Sequence, residues 1–321
     1  MRSLALRVLV STLCAGAGIA AMAGDARRAA AAGPVVIASG ENSTRTTIPV
    51  SIDGVRATCV LDTGTSAVIV SSWIAQQAHL SGKAGTFELA PDGRTYVDRQ
   101  TEIPRLEVAQ YALHGVPALI SPNVSSDNAL CGYDFFAHFP TLIDRAHRQV
   151  TLYPSGGRIA RMHCLPVDLT PHVPLASIEI NDTLVSHIVL DSGMAGGGAL
   201  WEGVRTQLRR PLVADASYET MPSAIRQGFA CGAVASIRYA AGAPTSSMPI
   251  CTEPQRPDGY NGIIETNLSS VQAMAVDYPH RRICFDVNGD TEVATPGLAA
   301  PVAPIGRGAW ARFNDLRPPK S

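Results

Sequence analysis

The 321-residue sequence carries no surplus of either charge: 26 Lys and Arg stand against 27 Asp and Glu, for a formal net charge of -1. It therefore lacks the cationic excess that neutralises nucleic-acid phosphates or holds an anionic membrane surface, and no nucleic-acid partner is expected. No two cysteines are spaced as Cys-x-x-Cys, which argues against a zinc centre and against thioredoxin-like chemistry. The run Gly196-Gly197-Gly198 lacks the Gly-Lys-Ser/Thr ending of a phosphate loop and reads as a flexible turn. Ser66 and Ser192 have no histidine at a recognisable motif to activate them as nucleophiles. The apolar run from Val8 to about Ala21 falls short of the roughly 20 residues that a spanning helix needs. No metal and no cofactor is called for by any of these features.

With 46% hydrophobic and 17% charged residues the chain has the composition of a packed protein, and its length favours two domains. Arg2 and Arg7, the apolar run and the small residues Ala21-Met22-Ala23 read as a signal peptide over residues 1–23. The mature chain is then expected in the periplasm or secreted, with no stable membrane insertion. Six cysteines follow the leader: Cys59, Cys131, Cys164, Cys231, Cys251 and Cys284. An even count suits an oxidising compartment.

The chain repeats itself, and that decides the architecture before any motif is interpreted. Ser51-Ile52-Asp53-Gly54 followed by Val60-Leu61-Asp62-Thr63-Gly64 recurs as Ile180-Asn181-Asp182-Thr183 followed by Val189-Leu190-Asp191-Ser192-Gly193. Leu130-Cys131-Gly132-Tyr133-Asp134-Phe135 then matches Ile263-Ile264-Glu265-Thr266-Asn267-Leu268. Gly132 lies 70 residues after Asp62 (132 minus 62) and Glu265 lies 74 after Asp191 (265 minus 191). Asp144 with His147-Arg148, and Asp277 with His280-Arg281, follow at equal distances, and each copy closes on an alternating strand. Short strands bounded by Gly, Pro, Asn and Asp dominate, including Thr47 to Ile52, Ala57 to Leu61, Val68 to Val70, Ile103 to Val108 and Ala118 to Ile120. Helices are expected at Ser72 to His79 and Trp201 to Leu208, matching places after each motif aspartate. The fold class is thus all-β, two similar lobes with a cleft between them. Their expected limits are residues 46–157 and 158–288, after a flexible lead-in over 24–45 and before a Pro-rich tail over 289–321.

An apolar strand ending in Asp-Thr-Gly or Asp-Ser-Gly sets a carboxylate where the chain leaves the sheet. Glycine there permits a tight turn and the close approach of a partner chain. If two such loops meet, Asp62 and Asp191 can share one proton, because two like charges a few Å apart do not both ionise cheaply. One carboxyl then acts as base on a water and the other as acid toward a scissile carbonyl.

At these residues the sequence resembles the retropepsin-like and pepsin-like aspartic proteases, most of all the tandem bacterial form, over about Thr46 to Val287. The resemblance implies that Asp62 and Asp191 are catalytic. It makes Thr63 and Ser192 the interface hydroxyls, with Gly64, Thr65 and Gly193 as further supports of the catalytic loops. Gly132 falls in the segment packed behind the first loop, and the hairpin that includes Gly93 and Tyr96 falls where a substrate-covering flap is expected. Peptides or polypeptides are the implied substrate. Two departures stand out. Met194 occupies a place where many two-lobed members carry Ser or Thr, a role that Thr65 keeps in lobe one, and Glu265 replaces a glycine. These departures feed an alternative of another class, a catalytically degenerate peptide-binding or regulatory module on the same fold. A further alternative is a homodimer that pairs two copies of Asp62 in place of a monomer that supplies both aspartates.

His147 and His280 read as structural turn residues. Cys59 and Cys131 fall at repeat positions held by Ile188 and Ile264, and are either bonded to each other or fill that space. Cys231 and Cys251 flank a hairpin that a bond would close, which leaves Cys164 with Cys284. The sequons at Asn42, Asn123, Asn181 and Asn267 are coincidental in a chain whose leader looks bacterial.

Overall fold

The computed structural model describes residues 33–42, 45–83, 87–89, 95–125, 127–153, 159, 162–194, 197–214, 230–239, 245–253, 260–267 and 271–286. The expected signal peptide and Pro-rich tail lie outside the described residues. Within the expected lead-in, β1 (Val35–Ala38) and β2 (Gly40–Asn42) are strands, so ordered structure begins before residue 46.

The first lobe continues through β3 (Arg45–Ile52), β4 (Val55–Leu61), β5 (Val68–Ser71), helix α1 (Ser72–Gln77), β6 (Phe87–Leu89), β7 (Thr95–Val97), β8 (Arg99–Val108), β9 (Tyr111–Ser121), β10 (Asn128–Cys131) and helix α2 (Tyr133–Phe136). Its sheet runs β2-β3-β4-β10-β5-β9-β8, and a β3–β8 pairing closes the last six strands on themselves. After β11 (Thr141–Asp144), β12 (Gln149–Leu152) and β13 (His163–Pro166) comes the second lobe. It holds β14 (Leu175–Ile180), β15 (Thr183–Asp191), β16 (Gly198–Trp201), helix α3 (Glu202–Arg205), β17 (Val213–Ala214), β18 (Ala230–Arg238), β19 (Ser246–Glu253) and β20 (Gly262–Glu265). Here the order is β14-β15-β20-β16-β19-β18-β17, closed by β14–β18. The pairings correspond one for one: β4–β10 and β15–β20 are parallel, as are β5–β9 and β16–β19. The sequence repeat is therefore a repeat of two barrels.

Local chemistry explains the matching turns. The β3–β4 hairpin turns on Asp53 (φ 48) and Gly54 (φ 85), and the β14–β15 hairpin on Asn181 (φ 46) and Asp182 (φ 60). A two-residue hairpin loop wants positive φ at both positions, which Asn, Asp and Gly tolerate best. Helix α1 starts where Ser71 Oγ accepts the Ile74 amide at 3.0 Å. Inside the first barrel Ile48, Ile52, Leu61, Ile103, Leu106 and Ile120 are fully buried.

A third sheet belongs to neither barrel. The closing hairpin of lobe one, β11–β12, and that of lobe two, β21 (Ala273–Asp277) with β22 (Arg282–Asp286), join through antiparallel pairing of β11 with β21. Strands β1 and β13 flank them, so the order is β1-β12-β11-β21-β22-β13. Three disulfides link Cys59 to Cys131 between β4 and β10, Cys164 to Cys284 between β13 and β22, and Cys231 to Cys251 between β18 and β19. Among the described residues no helix is long and apolar enough to cross a membrane.

Candidate active site

Strands β4 and β15 carry buried Val60-Leu61 and Val189-Leu190 to the lobe interface and release Asp62 and Asp191 there. The two loops are joined by four hydrogen bonds. Thr63 Oγ1 donates to the Leu190 carbonyl at 2.7 Å and accepts the Ser192 amide at 3.0 Å. Ser192 Oγ donates to the Leu61 carbonyl at 2.7 Å and accepts the Thr63 amide at 3.0 Å. Both hydroxyls are buried, so each uses its donor and an acceptor site where water is absent.

The carboxylates meet across this ring. Asp62 Oδ1 accepts the Gly64 amide at 2.9 Å. Asp191 Oδ1 accepts the amides of Gly193 at 2.7 Å and Met194 at 3.0 Å. A Cβ on Gly64 would lie 2.5 Å from Cγ of Asp191, and one on Gly193 only 2.1 Å from Cγ of Asp62. Each glycine thus makes room for the opposite carboxyl, and the two aspartates hydrogen-bond to each other. Burial pushes Asp62 well above the ordinary carboxylate range, and the charge and hydrogen bond of Asp191 add to it. Burial also raises Asp191, while the Gly193 and Met194 amides and the hydrogen bond from Asp62 pull it back. The pair therefore favours holding one proton between the two carboxyls. Such a pair offers a base and an acid at one locus.

The other expected residues fall around this centre. The Thr65 carbonyl accepts the Tyr133 amide at 3.1 Å, which binds the first loop to the start of α2. A Cβ on Gly132 would come within 2.3 Å of the Ala67 carbonyl and 2.4 Å of the Thr65 carbonyl, so only glycine passes beneath that loop. Tyr96 lies on β7, which pairs with β6 as a two-stranded hairpin. Gly93 lies outside the described residues.

The departures in lobe two have physical accounts. Met194 supplies a backbone amide to Asp191, so a donor remains there although the side chain has none. At the position of Gly132 stands Glu265, and the loop before it is one residue longer: 68 minus 62 is 6 in lobe one, and 198 minus 191 is 7 in lobe two. The Glu265 side chain is held in place by its Oε2, which accepts the Gly197 amide at 2.8 Å while the residue stays buried. Tyr239, stacked on Phe285 at 4.5 Å, donates its hydroxyl to the Glu265 carbonyl at 2.5 Å.

His147 and His280 are turn braces. His147 Nδ1 is 2.8 Å from Asp144 Oδ2, and His280 Nδ1 is 2.7 Å from Asp277 Oδ1, each across its hairpin turn. Three contributors were not singled out from the sequence. Asn267 donates from Nδ2 to the Ser192 carbonyl, a role its repeat position opposite Asp134 could have suggested. Arg45 exerts a charge on both aspartates. Tyr278, buried against Tyr133 and Phe136, feels both aspartates in turn, and burial and their charges hold its phenol neutral. Arg45 lies in no motif, whereas Tyr278 stands between the repeated Asp277 and His280-Arg281, a place that could have drawn attention to it.

Residues 48–138 match the family described as "gag-polyprotein putative aspartyl protease". No curated protein matches the chain in sequence. Among solved structures, the chain is similar to a retropepsin-like aspartic protease from Rickettsia conorii, at 17% identity over 37% of this chain and 89% of that one, with a TM-score of 0.30. It is also similar to the basic 7S globulin of soybean, at 10% identity over 79% of this chain and 95% of that one, with a TM-score of 0.45. The family match lies on the first lobe, from β3 into the residues just after α2.

Proposed function

We propose that the chain is an aspartic endopeptidase in which Asp62 and Asp191 activate a water between them. The observation that carries this reading is the cross-lobe ring of Thr63 and Ser192, which holds two buried carboxyls against each other with one proton favoured on the pair. Asp191 takes a proton from the water as its oxygen attacks the peptide carbonyl carbon. Asp62 gives its proton to the carbonyl oxygen, which yields a neutral tetrahedral gem-diol. Collapse of that diol breaks the C–N bond as Asp191 passes its proton to the departing amine and a diol hydroxyl returns its proton to Asp62, leaving a carboxyl and an amino terminus. Water is consumed, and the pair ends with one proton, as it began.

Both carboxyls come from one chain, so activity is expected at monomeric mass. The hairpin of β6 and β7 is the candidate flap over the cleft, and polypeptides or peptides are the substrates. Three disulfides fit an exported protein, in the periplasm or secreted.

Cleavage of a mixed peptide library at about pH 3.5 to 7.5, by wild type and by Asp62→Asn and Asp191→Asn, tests the reading. Loss of cleavage in either variant, with the fold intact, supports it. A folded wild type that cleaves nothing at any pH rejects hydrolysis and leaves a peptide-binding module on the same cleft.

A further inference from the structure

The first catalytic loop is held from behind by the start of helix α2. The Tyr133 amide donates to the Thr65 carbonyl at 3.1 Å, and the Asp134 carboxylate accepts the Val68 amide. Two successive residues thus grip the loop at its middle and where it enters β5. The Gly64 amide, inside the gripped stretch, donates to Asp62 Oδ1 at 2.9 Å, so the place of this loop sets the place of that carboxyl. At the matching repeat position lobe two has Thr266, whose amide donates to the Asp191 carbonyl at 2.9 Å but which brings no ring. Tyr133 does bring one, and lobe two touches it. His172, from the turn between β13 and β14, stacks on the Tyr133 ring at 4.3 Å with 6° between the planes. Tyr278, from the 3₁₀ turn Tyr278–His280 in the closing hairpin of lobe two, meets the same ring at 5.7 Å and 31°. Among the described residues these are the two ring contacts of Tyr133.

The turn that presents His172 is closely tied. Asp168 and Leu175 exchange both backbone hydrogen bonds, at 2.8 and 2.9 Å, and Asp168 Oδ1 accepts the amide and hydroxyl of Thr170 at 3.0 and 2.7 Å. The His172 amide donates to the Leu169 carbonyl at 2.9 Å, and the residue sits in the left-handed region at φ 61. Asn, Asp and His are the side chains that enter this region most readily after glycine, and histidine alone among them carries a flat ring. His79 (φ 53) and His187 (φ 56) share the backbone but enter no ring contact among the described residues, so the stack is what singles out His172. Its position meets two demands at once, a left-handed turn and a plane to lay on Tyr133.

We propose that His172 is a positioning residue for the first catalytic loop: stacked on Tyr133, it lets lobe two hold α2 against the loop that carries Asp62. This role rests on the protease reading of the site.

The test compares His172→Asn, which tolerates the left-handed turn without a ring, with His172→Phe, which keeps a flat ring. Two readouts are taken at one pH on the folded proteins: kcat and KM on a cleaved peptide, and hydrogen exchange of the Tyr133 and Val68 amides followed by NMR. In His172→Asn kcat is expected to fall about tenfold with KM little changed, because a displaced carboxyl costs the transition state more than the bound peptide. The two amides are expected to exchange about tenfold faster there, while amides of the second barrel keep their rates. His172→Phe is expected to return most of both losses. Tyr133→Leu removes the ring from the other side and is read in the same way should His172→Asn not fold. A merely structural role would lower Tm and leave kcat per folded molecule at the wild-type value, and that result overturns the proposal. A His172→Phe variant no better than His172→Asn overturns it too. Amide exchange needs no cleavage, so it decides the role of His172 even if the wild type hydrolyses nothing. Rates unchanged in His172→Asn reject the role whatever the outcome for hydrolysis.

Discussion

Thr63 and Ser192 each make two hydrogen bonds at a buried interface, so removing either hydroxyl leaves a carbonyl and an amide of the opposite loop without partners. Thr63→Val or Ser192→Ala is expected to cost about 1–3 kcal/mol of stability, measured by urea unfolding. The double variant is expected to cost less than the sum, because both substitutions break one network. The aspartates behave in the opposite sense. Both have folded pKa values raised by burial, so the stability they contribute is full below the unfolded carboxylate pKa and is lost as pH rises through the folded values. Asp62→Asn removes that loss while keeping an acceptor for the Gly64 amide. It is therefore expected to be inactive yet as stable as wild type or more so at pH 7, in thermal unfolding followed from acid to neutral pH. A lower Tm than wild type at pH 7 would count against a strained, charged pair. The Asp-Thr-Gly and Asp-Ser-Gly motifs were legible at this scale because their chemistry is local to three residues. The burial of Tyr278 against Tyr133 and Phe136 was not, since those contacts join residues far apart in the chain.

Among the elements, the segment after β10 and its counterpart after β20 show one task done in two ways. Gly132 passes under a six-residue loop, and Glu265 meets a loop one residue longer and caps it through the Gly197 amide. Gly132→Ala is expected to displace the first catalytic loop, lowering both Tm and kcat/KM, because carbonyl oxygens at 2.3 and 2.4 Å leave no space for a methyl group. Glu265→Gln keeps an acceptor and is expected to be mild. Glu265→Ala strands a buried amide and is expected to cost about 1–3 kcal/mol in chemical unfolding. Equal Tm for the Gln and Ala variants would show that the carboxylate does not hold the loop. The sequence made Glu265 look like decay of the second lobe, because substitution at a glycine position is visible while the amide that pairs with the new carboxylate, 68 residues away, is not. The barrel strands were legible through period-two patterning, and so were helices α1 and α3, although α3 is shorter than the expected Trp201 to Leu208; helix α2 was not expected.

At the scale of the molecule, the two barrels are held by the ring at the dyad and by the sheet of β1, β12, β11, β21, β22 and β13. The Cys164–Cys284 bond ties β13 to its neighbour β22 within that sheet, across 120 residues of chain. Replacing both cysteines by Ser is expected to lower stability by about 2–5 kcal/mol, seen as a fall in Tm that wild type reproduces under a reducing agent. Unchanged Tm after reduction would mean that the strands hold without it. The sequence by itself determined two repeated β lobes and the aspartate pair, because repeated motifs and strand periodicity are written in neighbouring residues. The tertiary structure alone decided that the closing hairpins leave their lobes to build a common sheet and that the buried Glu265 side chain meets the Gly197 amide. Those outcomes depend on which strands pair and in what register, and pairing between residues a hundred positions apart leaves no local trace in the chain.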